Sequence, residues 1–296
     1  MPPAPTARRY LQCDVFADRP GAGNPLAVVL DGEGLDDDTM QAIARWTRLP
    51  ETTFVCPPIS PEASYGLRIF SPRREVPFAG HPSVGTAHAV LEAGLATPRD
   101  GILVQEGRAG RLPLRVSGTG FERTIAVRTP KSRVLEVAEH GDARLRDVLA
   151  GLPLGDLPQA LMEGGRRWWL AELADEAALR AATPDWDAVE RLANATDSMG
   201  LCVFARSDDP VHYLAVRAWV GAPARFEDAA SGAANATLAA WLADRDALPG
   251  DGGFYRISQG REVGHDAIIE LTVDADGEIW SGGRVCSVVR GELDWR

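Results

Sequence analysis

The sequence predicts an α+β protein of two similar domains, each an antiparallel, barrel-like sheet wrapped around a central helix. Two observations carry that expectation. Strand-like runs joined by short turns dominate the chain, which suits an antiparallel sheet better than βαβ units. In addition, two corners of one design recur. Phe78-Ala79-Gly80-His81-Pro82-Ser83 follows the apolar run Leu67-Arg68-Ile69-Phe70 and opens a helix ending near Gly94. Phe226-Glu227-Asp228-Ala229-Ala230-Ser231-Gly232 follows Leu214-Ala215-Val216-Arg217-Ala218-Trp219 and opens a small-residue helix over 233–243. Each helix is the candidate for burial inside its half.

In the first half, alternation over 10–16 and the run 25–30 read as strands around a turn at 20–23. Asn24, ahead of Pro25, is held extended and takes turn duty. Asp36-Asp37-Asp38 supplies the acids that favour a helix start. Met40, Ile43, Ala44 and Thr47 follow at helical spacing, up to a stop at Pro50. Glu51 stands between that helix and an apolar strand, and its position alone reads as a solvated loop glutamate. Strands over 64–70, 102–105, 111–116 and 123–127 surround the helix after the first corner. Pro82 reads as its first helical residue and His81 as its cap, with the N–H groups of Ser83 and Val84 free. His88, inside that helix, reads as a packed core histidine.

The second half repeats the order. The sequence predicts a short helix over 144–149, a hairpin of 159–163 and 166–170 around Gly164-Gly165, and helices over 176–182 and 187–194. Strands over 201–205 and 213–219 follow, then the corner helix, then three closing strands over 254–258, 268–273 and 285–290. Trp168 and Trp169 are neighbours on one strand, so they face opposite ways, one to the core and one to the surface. The seam between domains falls near 129–135, where proline and charge interrupt the strands.

With 296 residues the chain is long enough for two domains and a substantial core. A net charge of -11 argues against nucleic acid or an anionic membrane surface as partner. No apolar run approaches membrane-spanning length, and residues 1–10 lack a signal-peptide core. Cys13, Cys56, Cys202 and Cys286 are widely spaced and read as buried reduced thiols of a cytoplasmic protein. The absence of CxxC or paired-histidine spacing predicts no metal site. Lys131 is the only lysine, and its loop position beside Pro130 makes it a poor Schiff-base candidate.

No G-x-S-x-G elbow, P-loop or G-x-G-x-x-G follows a strand, so hydrolase and nucleotide chemistry lose their usual signatures. What remains is a set of polar groups at corners: Glu51, His81, Asp228, Ser231 and Gln259. One carboxylate with helix-cap groups around it suits proton transfer at carbon better than hydrolysis or phosphoryl transfer. Two helix N-termini, each with free N–H groups and about half a positive charge, predict a carboxylate, sulfate or phosphate held between them.

At this point the chain resembles the phenazine-biosynthesis isomerase family of PhzF type, relatives of diaminopimelate epimerase. The resemblance rests on five ordered motifs. These are Gly23-Asn24-Pro25-Leu26-Ala27-Val28-Val29, Pro50-Glu51-Thr52-Thr53-Phe54-Val55, and Arg68-Ile69-Phe70-Ser71-Pro72 with Glu75-Val76-Pro77-Phe78-Ala79-Gly80-His81-Pro82. Glu227-Asp228-Ala229-Ala230-Ser231-Gly232 and Gln259-Gly260 complete the set. The chain departs from the family at Gly264-His265-Asp266-Ala267, where Gly-Arg-Pro-Ser is common, and at Ala229 and Asn235.

The resemblance implies a diaminopimelate epimerase-like fold, with one domain over 1–130, completed by the returning segment 282–296, and a second over 131–281. It implies a homodimer without cofactor and a cleft site for a small carboxylate substrate. Glu51 would be the acid/base, with His81 and Asp228 as partners. Gly80, Pro82, Ser83, Ser231, Gly232 and Gln259 would line the substrate pocket. The implied reaction is a cofactor-independent proton shift between carbons of a small (amino-)carboxylate. A racemase or epimerase using two thiols, and a non-catalytic small-molecule-binding dimer on the same fold, are the alternatives.

Overall fold

The computed structural model describes residues 7–139, 141–250 and 253–295. Most of the stretch read against a signal peptide, residues 1–6, lies outside them. The chain divides into two compact units: one runs to Arg128 and takes in the chain again from Gly282, and the other is Thr129–Ser281.

The first unit contains β1 (Arg8–Val15), β2 (Asn24–Val29), α1 (Asp37–Thr47), β3 (Glu51–Cys56), β4 (Tyr65–Phe70) and β5 (Glu75–Val76). The helix α2 (Gly80–Glu92) follows, then β6 (Ile102–Gly107), β7 (Gly110–Ser117) and β8 (Thr124–Arg128). The second unit holds β9 (Arg133–Val137), α3 (Ala143–Arg146), β10 (Ala160–Glu163), β11 (Arg167–Glu172), α4 (Glu176–Ala181), α5 (Trp186–Thr196) and β12 (Gly200–Arg206). It continues with β13 (Leu214–Val220), β14 (Phe226–Asp228), α6 (Gly232–Asp244), β15 (Phe254–Gln259) and β16 (Ala267–Val273). Finally β17 (Ile279–Gly283) leads to β18 (Val285–Leu293), which pairs with β1 across Arg8↔Leu293 to Val15↔Val285.

The sheets are mixed rather than wholly antiparallel. In the first unit the ladder runs β18–β1–β2–β3–β4–β6–β7–β8, and two of its pairs, β2–β3 and β4–β6, are parallel. The second unit repeats this as β9–β10–β11–β12–β13–β15–β16, with β11–β12 and β13–β15 parallel. The reason is the helix inserted at each of these joins. A crossover of a dozen or more residues returns the chain in the same direction, whereas a tight turn reverses it. Short strands that propensity alone misses, β5, β9, β14 and β17, complete the ladders.

Local chemistry explains the helices. Asp36 caps α1 by accepting from the Thr39 amide at 2.8 Å, and Arg48 stops the helix in the left-handed region at φ 57. Met40, Ile43 and Ala44 of α1 pack on Val29, Phe54 and Phe70. The central helix α2 is different, because residues Gly80 through Val90 are all buried. It packs against β1, β2, β3, β6, β8 and β18. Only small side chains permit that approach: a Cβ on Gly85 would lie 2.6 Å from Leu26 Cδ2 and 2.7 Å from Val15 Cγ2. The second unit wraps β9, β10, β11 and β16 around α6 in the same way.

Several expectations are corrected. α2 begins at Gly80, so Ala79 is the cap residue, His81 is the second helical residue and Pro82 the third. Pro82 is tolerated there because the first-turn N–H groups have no intrahelical acceptor to lose. Glu51 is the first residue of β3, paired with Leu26, and not a loop residue. Trp168 and Trp169 are both buried, at 2% and 0% exposure. β11 is covered on both faces, by the Leu179, Val189 and Leu192 cluster on the Trp169 side and by packing against α6. All four cysteines are free thiols. No helix among the described residues is long and apolar enough to cross a membrane.

Replacing Gly85 with leucine is expected to lower unfolding free energy by about 1–3 kcal/mol or more through overpacking. Helix propensity favours leucine over glycine. Urea melts of the two proteins give the sign, and an unchanged midpoint would contradict tight wrapping of α2.

Candidate active site

The first polar corner lies where β3 begins and α2 starts. Glu51 Oε2 is 3.3 Å from His81 Nε2, with the two side chains 20% and 9% exposed. That is contact distance, but the Nε2 makes no well-aligned hydrogen bond. Burial pushes the His81 imidazole down to about 3, so the ring is neutral at pH 7 beside the carboxyl group. Gly80, Pro82 and Ser83 are buried in the first turn of α2, and Ala79 provides no side-chain cap.

The layer beneath α2 is polar and ordered. Ser83 Oγ donates to the Ala79 carbonyl at 2.9 Å and accepts from Gln105 Nε2 at 3.0 Å. Thr86 Oγ1 donates to Thr53 Oγ1 at 2.8 Å, and Thr53 Oγ1 donates to the Ala27 carbonyl at 3.3 Å. Sequence reasoning missed Gln105, which is 3% exposed and whose Oε1 has no partner among the described residues. The available signal was a lone amide directly after the apolar run Ile102-Leu103-Val104.

The second corner is held by Gln259. Its Oε1 accepts from the Ser231 amide at 3.1 Å and from Asn235 Nδ2 at 2.8 Å, while its Nε2 donates to the Asp228 carbonyl at 2.8 Å. Asn235 Nδ2 also donates to the Ser231 carbonyl at 2.9 Å. Ser231 caps α6 by accepting from the Ala234 amide, and Gly232 is buried as the first helical residue. Asp228 Oδ1 accepts from the Ala230 amide at 3.2 Å, and burial raises its carboxyl above the ordinary range. The Gln-Gly pair has a steric basis. Gly260 sits at φ 94, and a Cβ there would lie 2.4 Å from the Ala229 carbonyl oxygen.

Each unit therefore gathers its own share of the sequence-derived residues: Glu51, Gly80, His81, Pro82 and Ser83 in the first, and Asp228, Ser231, Gly232 and Gln259 in the second. The departure at Gly264-His265 belongs to the second corner. The His265 amide donates to the Gly260 carbonyl at 2.9 Å, and a charge on its ring favours the ionised form of Asp228. Cys202 lies on the same ladder row as Ala218 and Asp228, and burial pushes its thiol up, as it does for Cys13. Among the described residues, no group of three or more His, Cys, Asp and Glu is placed to hold a metal ion.

The family model for phenazine biosynthesis-like proteins (PhzC-PhzF) matches residues 13–285. The chain belongs to that family. A trans-2,3-dihydro-3-hydroxyanthranilate isomerase of Pseudomonas aeruginosa is 33% identical over 272 residues, covering 91% of this chain and 92% of that protein. An uncharacterized isomerase of Mesorhizobium japonicum is 35% identical over 311 residues, covering 97% of this chain and 98% of that one. Among solved structures, a PhzF-family phenazine biosynthesis protein of Bacillus anthracis superposes with a TM-score of 0.83 at 23% identity, over 97% of this chain and 99% of that chain. The fold is thus the α+β, epimerase-like one of this family, and the phenazine biosynthesis-like chain described here is an isomerase.

The neutral state of His81 has a measurable consequence. Its folded pKa lies below the unfolded value near 6.5, so unfolding takes up a proton as pH falls below about 6.5. Stability is lost across that window down to about pH 3. The expected outcome is an imidazole that stays neutral by NMR at pH 5, and a slope of unfolding free energy against pH that flattens in His81→Phe. An imidazole titrating near 6.5 would refute it.

Proposed function

We propose that this chain catalyses a suprafacial proton shift in a small, cyclic, unsaturated amino-carboxylate, without a cofactor, with Glu51 as the acid/base. The observation that carries the reading is the Glu51–His81 contact of 3.3 Å at the uncapped start of α2. A neutral imidazole nitrogen can donate or accept according to its tautomer, so a small rotation of either side chain would give the carboxyl group a hydrogen-bonding partner in either protonation state. Glu51 would take a proton from one substrate carbon, leaving the electron pair delocalised through the unsaturated system into the substrate carboxylate, and return the proton to a second carbon on the same face. His81 would steady the carboxyl group as it changes charge.

The first-turn N–H groups of α2 would hold the substrate carboxylate and the negative charge that spreads onto it. We extend the proposal to Asp228, Ser231, Gly232 and Gln259, as groups for the substrate amine and carboxylate, on the strength of the motif they share with the family. The relative from Pseudomonas aeruginosa supplies the substrate class to try first, trans-2,3-dihydro-3-hydroxyanthranilate. A homodimer in the cytoplasm is the assembly and location we propose from the same resemblance. The two-thiol racemase reading draws no support from Cys13 and Cys202, whose burial disfavours thiolate.

Turnover in deuterium oxide tests the reading. The wild type is expected to isomerise trans-2,3-dihydro-3-hydroxyanthranilate and to place solvent deuterium on carbon. Glu51→Gln is expected to keep its melting curve and lose about 10²–10⁴-fold in rate, the range of a general base. Wild-type rates in Glu51→Gln would sink the assignment, and binding without carbon labelling would favour a non-catalytic binder.

A further inference from the structure

Both corners are preceded by the same side-chain arrangement. In the second unit, Arg217 and Trp219 lie on one face of β13, and Glu227 of β14 is the ladder partner of Trp219. Arg217 Nε donates to Glu227 Oε1 at 2.9 Å and Nη2 to Oε2 at 2.7 Å, a bidentate pair. Both side chains are about 5% exposed or less, and the guanidinium sits 5.3 Å from the Trp219 ring centroid. Its remaining Nη1 donates to the carbonyls of Leu179 and Ala182, at 3.1 and 2.5 Å, where α4 ends.

The first unit has Arg68, Phe70 and Glu75 in the same relation. Glu75 of β5 is the ladder partner of Phe70, Arg68 Nε donates to Glu75 Oε1 at 2.8 Å, and the guanidinium is 5.1 Å from the Phe70 ring. This version is more open, at 23% and 18% exposure, and Arg108 adds a hydrogen bond to Glu75 Oε2 at 3.0 Å. Each glutamate stands five residues ahead of the first residue of its central helix, Gly80 or Gly232.

The strands carrying these glutamates have two and three residues, too few to fix themselves by their own ladder. Asp228 follows Glu227 and so points to the opposite face of the sheet. Whatever fixes Glu227 therefore fixes the direction of Asp228. A buried ion pair is weak evidence for stability, since apolar replacements often fold as well. Geometry is the better explanation for burying this one.

We propose that Arg217 and Glu227 are a positioning pair that sets the direction of Asp228 and the start of α6, and that Arg68 and Glu75 do the same for the start of α2. The part of the test that reads turnover rests on the isomerase reading above, while the part that reads local order does not.

The experiment compares wild type, Arg217→Met/Glu227→Leu, Glu227→Gln and Arg217→Lys by thermal melting, amide hydrogen exchange and turnover of trans-2,3-dihydro-3-hydroxyanthranilate. The double variant is expected to melt cooperatively near the wild type, yet to exchange the Ala230 and Ser231 amides about tenfold faster or more, with the amides of β12 unchanged. Its kcat/KM is expected to fall about 10–100-fold, as misplacement of groups proposed to hold the substrate requires. Glu227→Gln, which keeps a planar hydrogen-bonding group, should recover most of both. Should the double variant not fold, Arg217→Lys carries the test, because it keeps the charge but loses the fork. A folded variant with wild-type exchange at Ala230 and Ser231 would overturn the proposal, as would equal acceleration in β12. Absence of turnover in the wild type would overturn the proposed substrate alone.

Discussion

Burial of one helix on all sides is the constraint from which most of each unit follows. A helix covered all round favours small side chains along its length, which Gly85, Ala87 and Ala89 of α2 and Ala234, Ala236 and Ala239 of α6 supply, with His88 and Asn235 as hydrogen-bonded polar exceptions. Its flanks then have no room for a ligand. Its start does, because the first N–H groups of any helix have no partner within it. Polar groups accordingly collect at Gly80–Ser83 and Ser231–Gly232; Glu51 comes from β3, which packs on α2, and Gln259 from β15, whose side chain bonds the start of α6.

The two starts solve the same problem differently. At α6 the first-turn polar groups are occupied from within: Ser231 caps Ala234, and the Gln259 amide spans Ser231, Asn235 and Asp228. At α2 no side chain caps the helix, and the nearest titratable pair is Glu51 with a neutral histidine. A closed hydrogen-bond network resists rearrangement, whereas the ring beside Glu51 is neutral and contributes no charge that would favour one protonation state of the carboxyl group. Under the proposed function, the reacting group belongs to the second kind of start, beside which Glu51 lies.

Much of this was legible in the residues. The two corners, the strand before each and the helix after each are local patterns, and Asp36 as a cap or Pro50 as a stop act within a few residues. The parallel pairs β2–β3 and β11–β12 were not legible, because register depends on where a crossover lands and not on the strand's own composition. Two-residue β5 and three-residue β14 lack length for any periodicity to show. For the site, Glu51 stands out only through its motif, since a glutamate ahead of an apolar run carries no mark of its neighbour His81. Gln105 was lost for the same reason: its partner Ser83 is on another element, and an amide in a strand reads as a solvent-facing residue. Trp168 was misjudged because alternation tells which face a side chain takes, not whether that face is covered.

The pairing of β18 with β1 also governs how the chain can be made. Arg8 meets Leu293 on one ladder, so the first unit contains strands from both extremes of the described sequence. The second unit is continuous from Thr129 to Ser281, so its strands all start ahead of β18 in the chain. On a ribosome, which adds roughly 5–20 residues each second, the unit that carries Glu51 has an open edge at β1 until β18 follows. Such an edge offers unpaired backbone groups to any other strand. The half made second is thus continuous in the chain, while the half made first is completed only by a strand that follows the other half.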